Sequence, residues 1–468
     1  MERKPVIVGG GPAGLSAAIE LASHGVDSLL LEEASRLGGV VYRGPLRDGV
    51  ELDYLGERYC ANMRALHGAF DAIAARVDIR LNTRVIGGNA EQLFALTPQE
   101  RTQRIPYSHL LLSVGCHERS VPFPGWTLPG VIMLGGLQLQ IKSGVVKPLG
   151  RTVLAGTGPL LPLVACQLRK AGVEVVGVYE ASAFSRLAKE AVALLNQPQL
   201  FLDGLSMLAY LKRHGVPFHF GWGVIEGHGD DELRAVTVAP YNADWTADHS
   251  RAQRLPAQTL ASGYGFLPRT QLTQQMGLAH GYDEDGCLKP DIDDWQRGSL
   301  DRIHLAGDVG GLKGGEAAML TGRIAALSML RQLNVLDDAA ALRRRDELSK
   351  DLAAVLRFRA GINRFTRRGM GQLALPRTDT VICRCEHVTR QDIDTALGQG
   401  VNDLISLKMR TRVSMGDCQG KMCVGYCSDR LREHTGKHDV GWIRPRFPLD
   451  PLPFSAFSAL DAQQTEEI

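Results

Sequence analysis

The sequence predicts an α/β protein built from two open parallel-sheet units, the second inserted in the first, with a small helical domain at the C-terminal end. Three observations predict it. Residues 5–33 and again 151–180 run in the same order: apolar strand, glycine turn, helix, glycine stop, apolar strand, acid. A further strand-and-glycine pattern, IHLAGDVGG at 303–311, comes late enough to complete the first unit around the second. Five of the nine cysteines then crowd between Cys383 and Cys427.

The bulk numbers fit this plan. A chain of 468 residues, 44% hydrophobic and 22% charged, has material for two or three full-sized cores. A formal net charge of +2 leaves no footprint for nucleic acid. The start, MERKPVIVGGG, lacks the long apolar stretch of a secretory leader. TVLAGTGPLLPLVACQL (152–168) has only 17 residues, broken by Gly and Pro, and reads as strand, turn and helix instead of a membrane span. A cytoplasmic location is the expectation, where clustered thiols serve as ligands sooner than as disulfides.

In PVIVGGGPAGLSAAIELASHGVDSLLLEE (5–33) a buried strand meets Gly9-x-Gly11-x-x-Gly14. Gly9 permits the tight turn, Gly11 lets a pyrophosphate approach the backbone, and Gly14 lets helix pack on strand. Pro12 and Ala13 open the helix, whose unpaired N–H groups and dipole favour an anion. Glu32, 18 residues past Gly14, is placed to accept hydrogen bonds from ribose hydroxyls. Glu33 beside it, and Arg36 and Gly39 in the turn ASRLGG (34–39), complete the candidate dinucleotide cradle. A bland glycine turn is the alternative, and the ordered strand, helix, strand and acid argue against it.

Further on, LLLSVG is a buried strand ending in Gly115, and IHLAGDVGG leads into the glycine-headed helix GGEAAMLTGRIAALSML (314–330). Together these segments resemble flavoproteins with two dinucleotide-binding domains, of the glutathione-reductase and ferredoxin-reductase type. The resemblance implies FAD in the first site, Asp308 against the flavin ribityl chain, and Gly307 allowing close approach. A turn or helix-capping aspartate is the alternative for Asp308.

The second unit, RTVLAGTGPLLPLVACQLRKAGVEVVGVYE, carries Gly156, Gly158 and the acid Glu180, but Leu161 stands at the third glycine position. A leucine there crowds the helix–strand contact. Only Arg186 follows the second strand, so no arginine pair awaits a 2′-phosphate. The resemblance offers NAD(P)H for this domain; an adenine nucleotide held structurally, or an empty fold, is the competing expectation. Disulfide-reductase chemistry has no support, since no C-x-x-C occurs anywhere. Cys116 and His117 read as packing residues near the site, and Arg119, Tyr264 and Arg269 as structural ones.

The cysteine cluster is Cys383-x-Cys385, a 32-residue gap, Cys418-x4-Cys423, and Cys427. Thr389 and Asp392 form a capping box, and the run that follows stops at Gly400. Four thiolates on two loops can hold zinc or an iron–sulfur cluster, and spacing alone leaves both open. CRCEHVT, GVNDLISLKMRTR and MGDCQGKMC resemble the bacterioferritin-associated-ferredoxin-like [2Fe–2S] domain. That resemblance implies Cys383, Cys385, Cys418 and Cys423 as the ligands, with Cys427 packing beside them.

The expected layout is an FAD domain (1–120 and 262–330), an inserted nucleotide-like domain (121–261), a helical linker (331–380), a [2Fe–2S] domain (381–440) and a tail (441–468). With CHERSVPFPGWTLPGV, LQLQIKSGVVKP, PQLFLDGLSMLAYLKRHG and VGWIRPRFPLDPLPFSAF, it resembles the large subunits of bacterial amine and amino-acid dehydrogenase complexes. These are opine oxidases, D-hydroxyproline dehydrogenases and hydrogen cyanide synthases, the last being most similar. The resemblance implies an electron-relay subunit with no catalytic residue of its own. Its partners would be a flavoprotein of the amino-acid-oxidase type, a small ferredoxin-like protein and a downstream acceptor such as a membrane quinone, reached at the inner face of the cell membrane. For a cyanide synthase the reaction would be glycine to hydrogen cyanide and carbon dioxide. A self-sufficient NAD(P)H-dependent flavin reductase is the competing class, and a redox sensor that passes no electrons is a third.

Two segments lie outside these motifs. Residues 343–368 carry nine basic and three acidic side chains and read as a solvated helix face, or a surface for a partner or anionic lipid. The tail is rich in proline and aromatics, so it is expected to pack on this chain or to grip a partner.

Overall fold

The computed structural model of the chain describes residues 3–457 apart from Asp48. The first sheet has five parallel strands in the order Ile303–Leu305, Leu110–Leu112, Val6–Val8, Ser28–Leu31, Val77–Arg80. The segments VIV, SLLL and LLL are buried along their whole length, as befits parallel strands covered on both faces. Helices Pro12–Ser23 and Gly315–Gln332 cross closely on one face. Gly322 makes that crossing possible, since a Cβ there would lie 2.1 Å from the Ala13 carbonyl oxygen. A three-stranded antiparallel sheet, Arg84–Gly88, Gln92–Leu96 and Thr102–Pro106, completes this unit.

The second unit repeats the construction. Its five parallel strands run Phe218–Phe220, Val175–Glu180, Thr152–Gly156, Thr259–Gly263, Val131–Met133. Its antiparallel sheet is Trp222–His228, Ala235–Pro240 and Gln253–Pro256. Between the units runs a two-stranded antiparallel ribbon, Cys116–Glu118 paired with Phe266–Pro268.

Helix Asp338–Thr366, 29 residues long and N-capped by the Asp337 side chain, straps the two units together. Ala341 and Leu348 enter the core of the first unit, and Gly361 passes so close to the second that a Cβ would lie 2.7 Å from Ala193 Cβ. The helix keeps a solvated face, with Arg357, Arg364 and Arg367 exposed, while its other side is buried at the C-terminal end. Arg368 reaches the buried Asp429 at 2.6 Å, and Arg359 has its Nε sealed from solvent. Even near the exposed start, Arg345 stacks over Trp295 at 4.7 Å.

The cysteine-rich end forms its own core around Ile382, Ile393, Leu404, Leu407, Tyr426 and Leu431. A short hairpin, Val381–Cys383 with Val388–Thr389, precedes helices Arg390–Gly398, Leu404–Thr411 and Val424–Thr435. The Thr389–Asp392 capping box is present. The tail packs on this chain: Leu449 N donates to the Ile86 carbonyl at 2.9 Å, and Phe447 meets Phe94 with ring centroids 5.0 Å apart. Residues 458–468 of the expected tail lie outside the described residues. Among the described residues, no helix is long and apolar enough to cross a membrane.

Candidate cofactor sites and the bridge between them

The first glycine turn is shaped for a ligand backbone. A Cβ on Gly14 would sit 2.0 Å from the Gly9 carbonyl oxygen, so only glycine allows this helix to pack there. At Gly11 a Cβ would meet nothing nearer than Gly39 Cα at 3.7 Å, so the surface above the turn is open. Gly39, with φ of +59°, lies so close to Gly11 that a Cβ there would be 2.8 Å from Gly11 Cα. Helix Pro12–Ser23 has no side-chain N-cap, which leaves its first N–H groups for an anion. Glu32 is buried; its carboxylate accepts from Gly10 N at 2.7 Å and Ala34 N at 2.9 Å.

The other predicted residues fall around this turn unequally. Gly307 stands beside Ala13, whose Cβ lies 3.2 Å from where a Cβ on Gly307 would be. Asp308 Oδ1 accepts from the Lys313 and Gly314 N–H groups at 2.8 and 3.1 Å, and Oδ2 accepts from the Cys116 thiol at 3.6 Å. Gly115, with φ of +71°, turns the chain from the sheet into the ribbon. Arg36 donates to the Leu46 carbonyl at 3.2 Å. Glu33 is exposed and pairs with Arg269 at 3.0 Å.

The second glycine turn is closed by the protein itself. Glu180 is buried and accepts from Thr157 Oγ1 at 2.6 Å, Gly158 N at 2.8 Å and Ser182 N at 2.9 Å. Burial pushes its carboxyl up to about 7 against those three bonds. Leu161 is fully buried among Leu134, Leu137 and Ile141, and the helix here starts only at Leu160. The end of the long helix lies on the turn: Ser182 Oγ donates to the Phe365 carbonyl at 2.7 Å, and the Thr366 methyl is 3.3 Å from a Cβ placed on Gly158.

In the third site two loops bring the four expected ligands near one another as two pairs, and among the described residues no group of three is poised on a single metal ion. Cys383 and Cys423 are buried, Cys418 is half-buried and Cys385 is exposed. Cys383 and Cys423 are neighbours that perturb each other's ionisation, as are Cys385 and Cys418. Contact with the Cys423 thiol, with burial, pushes the Cys383 thiol up. Closely spaced thiols resist ionising together, and a positively charged iron centre relieves that repulsion, so this donor set fits a cluster held by two loops. Gly416 was not singled out from sequence, yet a Cβ there would lie 2.2 Å from Cys385 Cβ; only glycine lets the loops close. Cys427 is fully buried beside Cys423, in the packing position expected.

One strand of the ribbon touches both the first and third sites. Cys116 contacts Asp308, and the next residue, His117, places Nε2 3.1 Å from the Lys421 carbonyl in the cysteine loop. Burial pushes the His117 imidazole down to about 4, so it is neutral near pH 7. Two positions on, buried Arg119 bonds Cys287 Sγ at 2.8 Å and meets Asp429 at 3.5 Å; Arg368 and Arg432 hold the same carboxylate at 2.6 and 3.3 Å. These contacts, with the Lys421–Asp450 pair at 2.7 Å, fix the small domain to the ribbon and tail. Arg119 is structural, as expected, and Tyr264 is a buried core residue whose hydroxyl accepts from Val224 N at 3.3 Å. Beside the bridge lies a cleft of about 660 Å³ that includes His117, Arg119, Tyr282, Lys421 and Trp442.

Comparison with known proteins agrees with this arrangement. Residues 3–324 match the pyridine nucleotide-disulphide oxidoreductase family, and residues 381–433 match the BFD-like [2Fe-2S] binding domain. The chain is 65% identical to hydrogen cyanide synthase subunit HcnB of Pseudomonas protegens, covering 100% of both chains. The chain belongs to the pyridine nucleotide-disulphide oxidoreductases, and within them to the HcnB family of hydrogen cyanide synthase subunits. It is 62% identical to the HcnB subunit of Pseudomonas aeruginosa, over 99% of this chain and 100% of that one. An opine oxidase subunit from Agrobacterium tumefaciens is 29% identical over 97% of this chain and 91% of that one. The fold resembles L-proline dehydrogenase from P. horikoshii, with a TM-score of 0.70, 18% identity, and coverage of 97% of this chain and 79% of that one.

FAD and a [2Fe–2S] cluster are the cofactors of this family, and the open glycine turn and the paired thiols fit them. The chain is an oxidoreductase subunit, and its relatives are named as subunits of multi-subunit enzymes.

Proposed function

We propose that this chain is the electron-relay subunit of a hydrogen cyanide synthase, oxidising no substrate itself and passing electrons between its FAD and its [2Fe–2S] cluster. The Cys116–Glu118 strand carries this reading, because consecutive side chains touch the flavin-side aspartate and the cluster loop. FAD supplies the chemistry of taking electrons in pairs and releasing them singly. The residues around it have simpler tasks. Gly9, Gly11, Gly14 and the helix N-terminus would hold the pyrophosphate, Glu32 a ribose, and Asp308 the ribityl chain. Cys383, Cys385, Cys418 and Cys423 would hold the iron, and neutral His117 would fix the loop between them to the ribbon. Substrate oxidation, glycine to hydrogen cyanide and carbon dioxide, would belong to a partner flavoprotein of the amino-acid-oxidase type, with a small ferredoxin-like protein and a quinone or other acceptor downstream. The closed second turn argues against an NAD(P)H-driven reductase and leaves an adenine nucleotide or no ligand as the expectation there.

The test is anaerobic addition of glycine to the co-purified complex, followed by flavin absorbance and by EPR of the cluster. Flavin bleaching, a reduced [2Fe–2S] signal and released cyanide are expected. Reduction by an opine or D-hydroxyproline, with none by glycine, would overturn the cyanide-synthase assignment and leave the relay. Bleaching of flavin with a cluster that stays oxidised would overturn the relay.

A further inference from the structure

Arg359 reaches inward from the long helix toward the first site. Its Nε is sealed from solvent and has no hydrogen-bond partner. Asp308 and Cys116 are its electrostatic neighbours. Among the described residues neither is in ion-pair contact with it: Asp308 is taken up by Lys313 N, Gly314 N and the Cys116 thiol. The residue is half-buried; a guanidinium has only donors to offer, and sealing one of its N–H groups from water without an acceptor is destabilising. The side chain is therefore arranged for an acceptor that arrives with the cofactor.

FAD carries hydrogen-bond acceptors along its whole length. The ribose hydroxyls and pyrophosphate fall to Glu32 and the glycine turn, and the ribityl hydroxyls to Asp308. The acceptors that gain negative charge when the ring is reduced are those of its pyrimidine edge, N1 and the C2 carbonyl, and a fixed cation has most to offer there. Cys116 lies past Gly115, on the ribbon that leads to the cluster loop, so Arg359 stands on the side that the ring must face if the relay reading above holds. We infer that Arg359 is a flavin-contacting residue that sets its positive charge against the pyrimidine edge of the ring. Neither the glycine motif nor the cysteine cluster points to it. It comes from a linker that sequence alone marks as solvated.

Sulfite binding tests this without substrate, partner or cluster turnover. The sulfite lone pair forms a bond to flavin N5, and the displaced electron pair settles as negative charge on the pyrimidine edge; nothing leaves. A fixed cation there favours the adduct. In the FAD-loaded full-length chain, Arg359→Met should weaken sulfite binding about tenfold or more, read by bleaching of the visible flavin band, while Arg359→Lys keeps most of the affinity. Loss of FAD from Arg359→Met with the [2Fe–2S] spectrum intact also supports contact with the cofactor. If the methionine variant fails to fold, Arg359→Gln, which keeps donors without the charge, decides in the same way. Unchanged sulfite affinity and unchanged FAD content in the folded variant overturn the inference. Neither readout involves glycine or electron transfer, so its failure is separate from failure of the relay.

Discussion

The two nucleotide-type units share nearly everything except access. Each has five parallel strands, a three-stranded antiparallel companion and a buried acid that accepts from its own glycine turn, Gly10 N to Glu32 in one and Gly158 N to Glu180 in the other. In the first, Gly14 lets the helix sit down on the strand and Gly11 leaves the turn open. In the second, Leu161 replaces that glycine and joins the core, and Phe365 and Thr366 lie over the turn. The difference teaches that one dinucleotide-type architecture can present an open turn in one unit and a turn overlain by the long helix in the other.

The sharpest way to break the comparison is Gly14→Val. The added Cβ collides with the Gly9 carbonyl, so FAD should be lost completely, measured as the flavin-to-protein ratio. A variant that retained full FAD would show that the first turn is not the cofactor site. The matching position in the second unit should behave as core. Leu161→Ala should keep FAD and lower stability by about 2–5 kcal/mol in denaturant titration.

A smaller effect concerns protons. The Glu180 carboxyl is pushed by burial from the ordinary 4.5 up to about 7. Between those values the folded chain holds a proton that the unfolded chain has released, so this group's contribution to stability is full below pH 4.5 and is lost as pH rises through about 7. Glu180→Gln should flatten that part of the stability–pH curve, read from melting temperature against pH. A slope unchanged by the substitution would place the carboxylate in contact with water or a ligand instead of a dry turn. The smallest expected effect is none at all: NADH or NADPH added anaerobically to the isolated chain should leave the flavin band in place. Bleaching would show that the second turn opens.

Sequence made the chemistry-bearing ends legible because short-range rules govern them. Gly9 and Gly14 mark positions where a Cβ would collide and Gly11 one that stays open for a ligand, and the spacing of Cys383, Cys385, Cys418 and Cys423 declares two converging loops. The central parallel strands, VIV, SLLL and LLL, were readable as continuous apolar runs, and the Thr389–Asp392 capping box as a four-residue pattern; outer strands such as VDIR and FHF, only partly buried, were not. What sequence hid depends on contacts between distant segments. Arg359 sits in a stretch whose charge count suggests solvent, and only the packing of the helix turns it inward. Glu33, beside Glu32, was placed in the same cradle, yet Glu32 is buried on the turn while Glu33 is exposed and pairs with Arg269. Asp429 reveals its role only when Arg119, Arg368 and Arg432 arrive from three parts of the chain.

The strand Ile303–Leu305 carries a consequence for biosynthesis. It is an edge of the first sheet and pairs with Leu110–Leu112, from which it is separated in the chain by the whole second unit. As the chain emerges from the ribosome, the second unit is finished while the first still lacks a strand and the Gly315–Gln332 helix that covers it. The flavin fold, though it begins first, is completed late, and domains generally fold as units once their segments are available. Cofactor loading is therefore a late event in the life of each new chain, after the inserted unit has already set the frame.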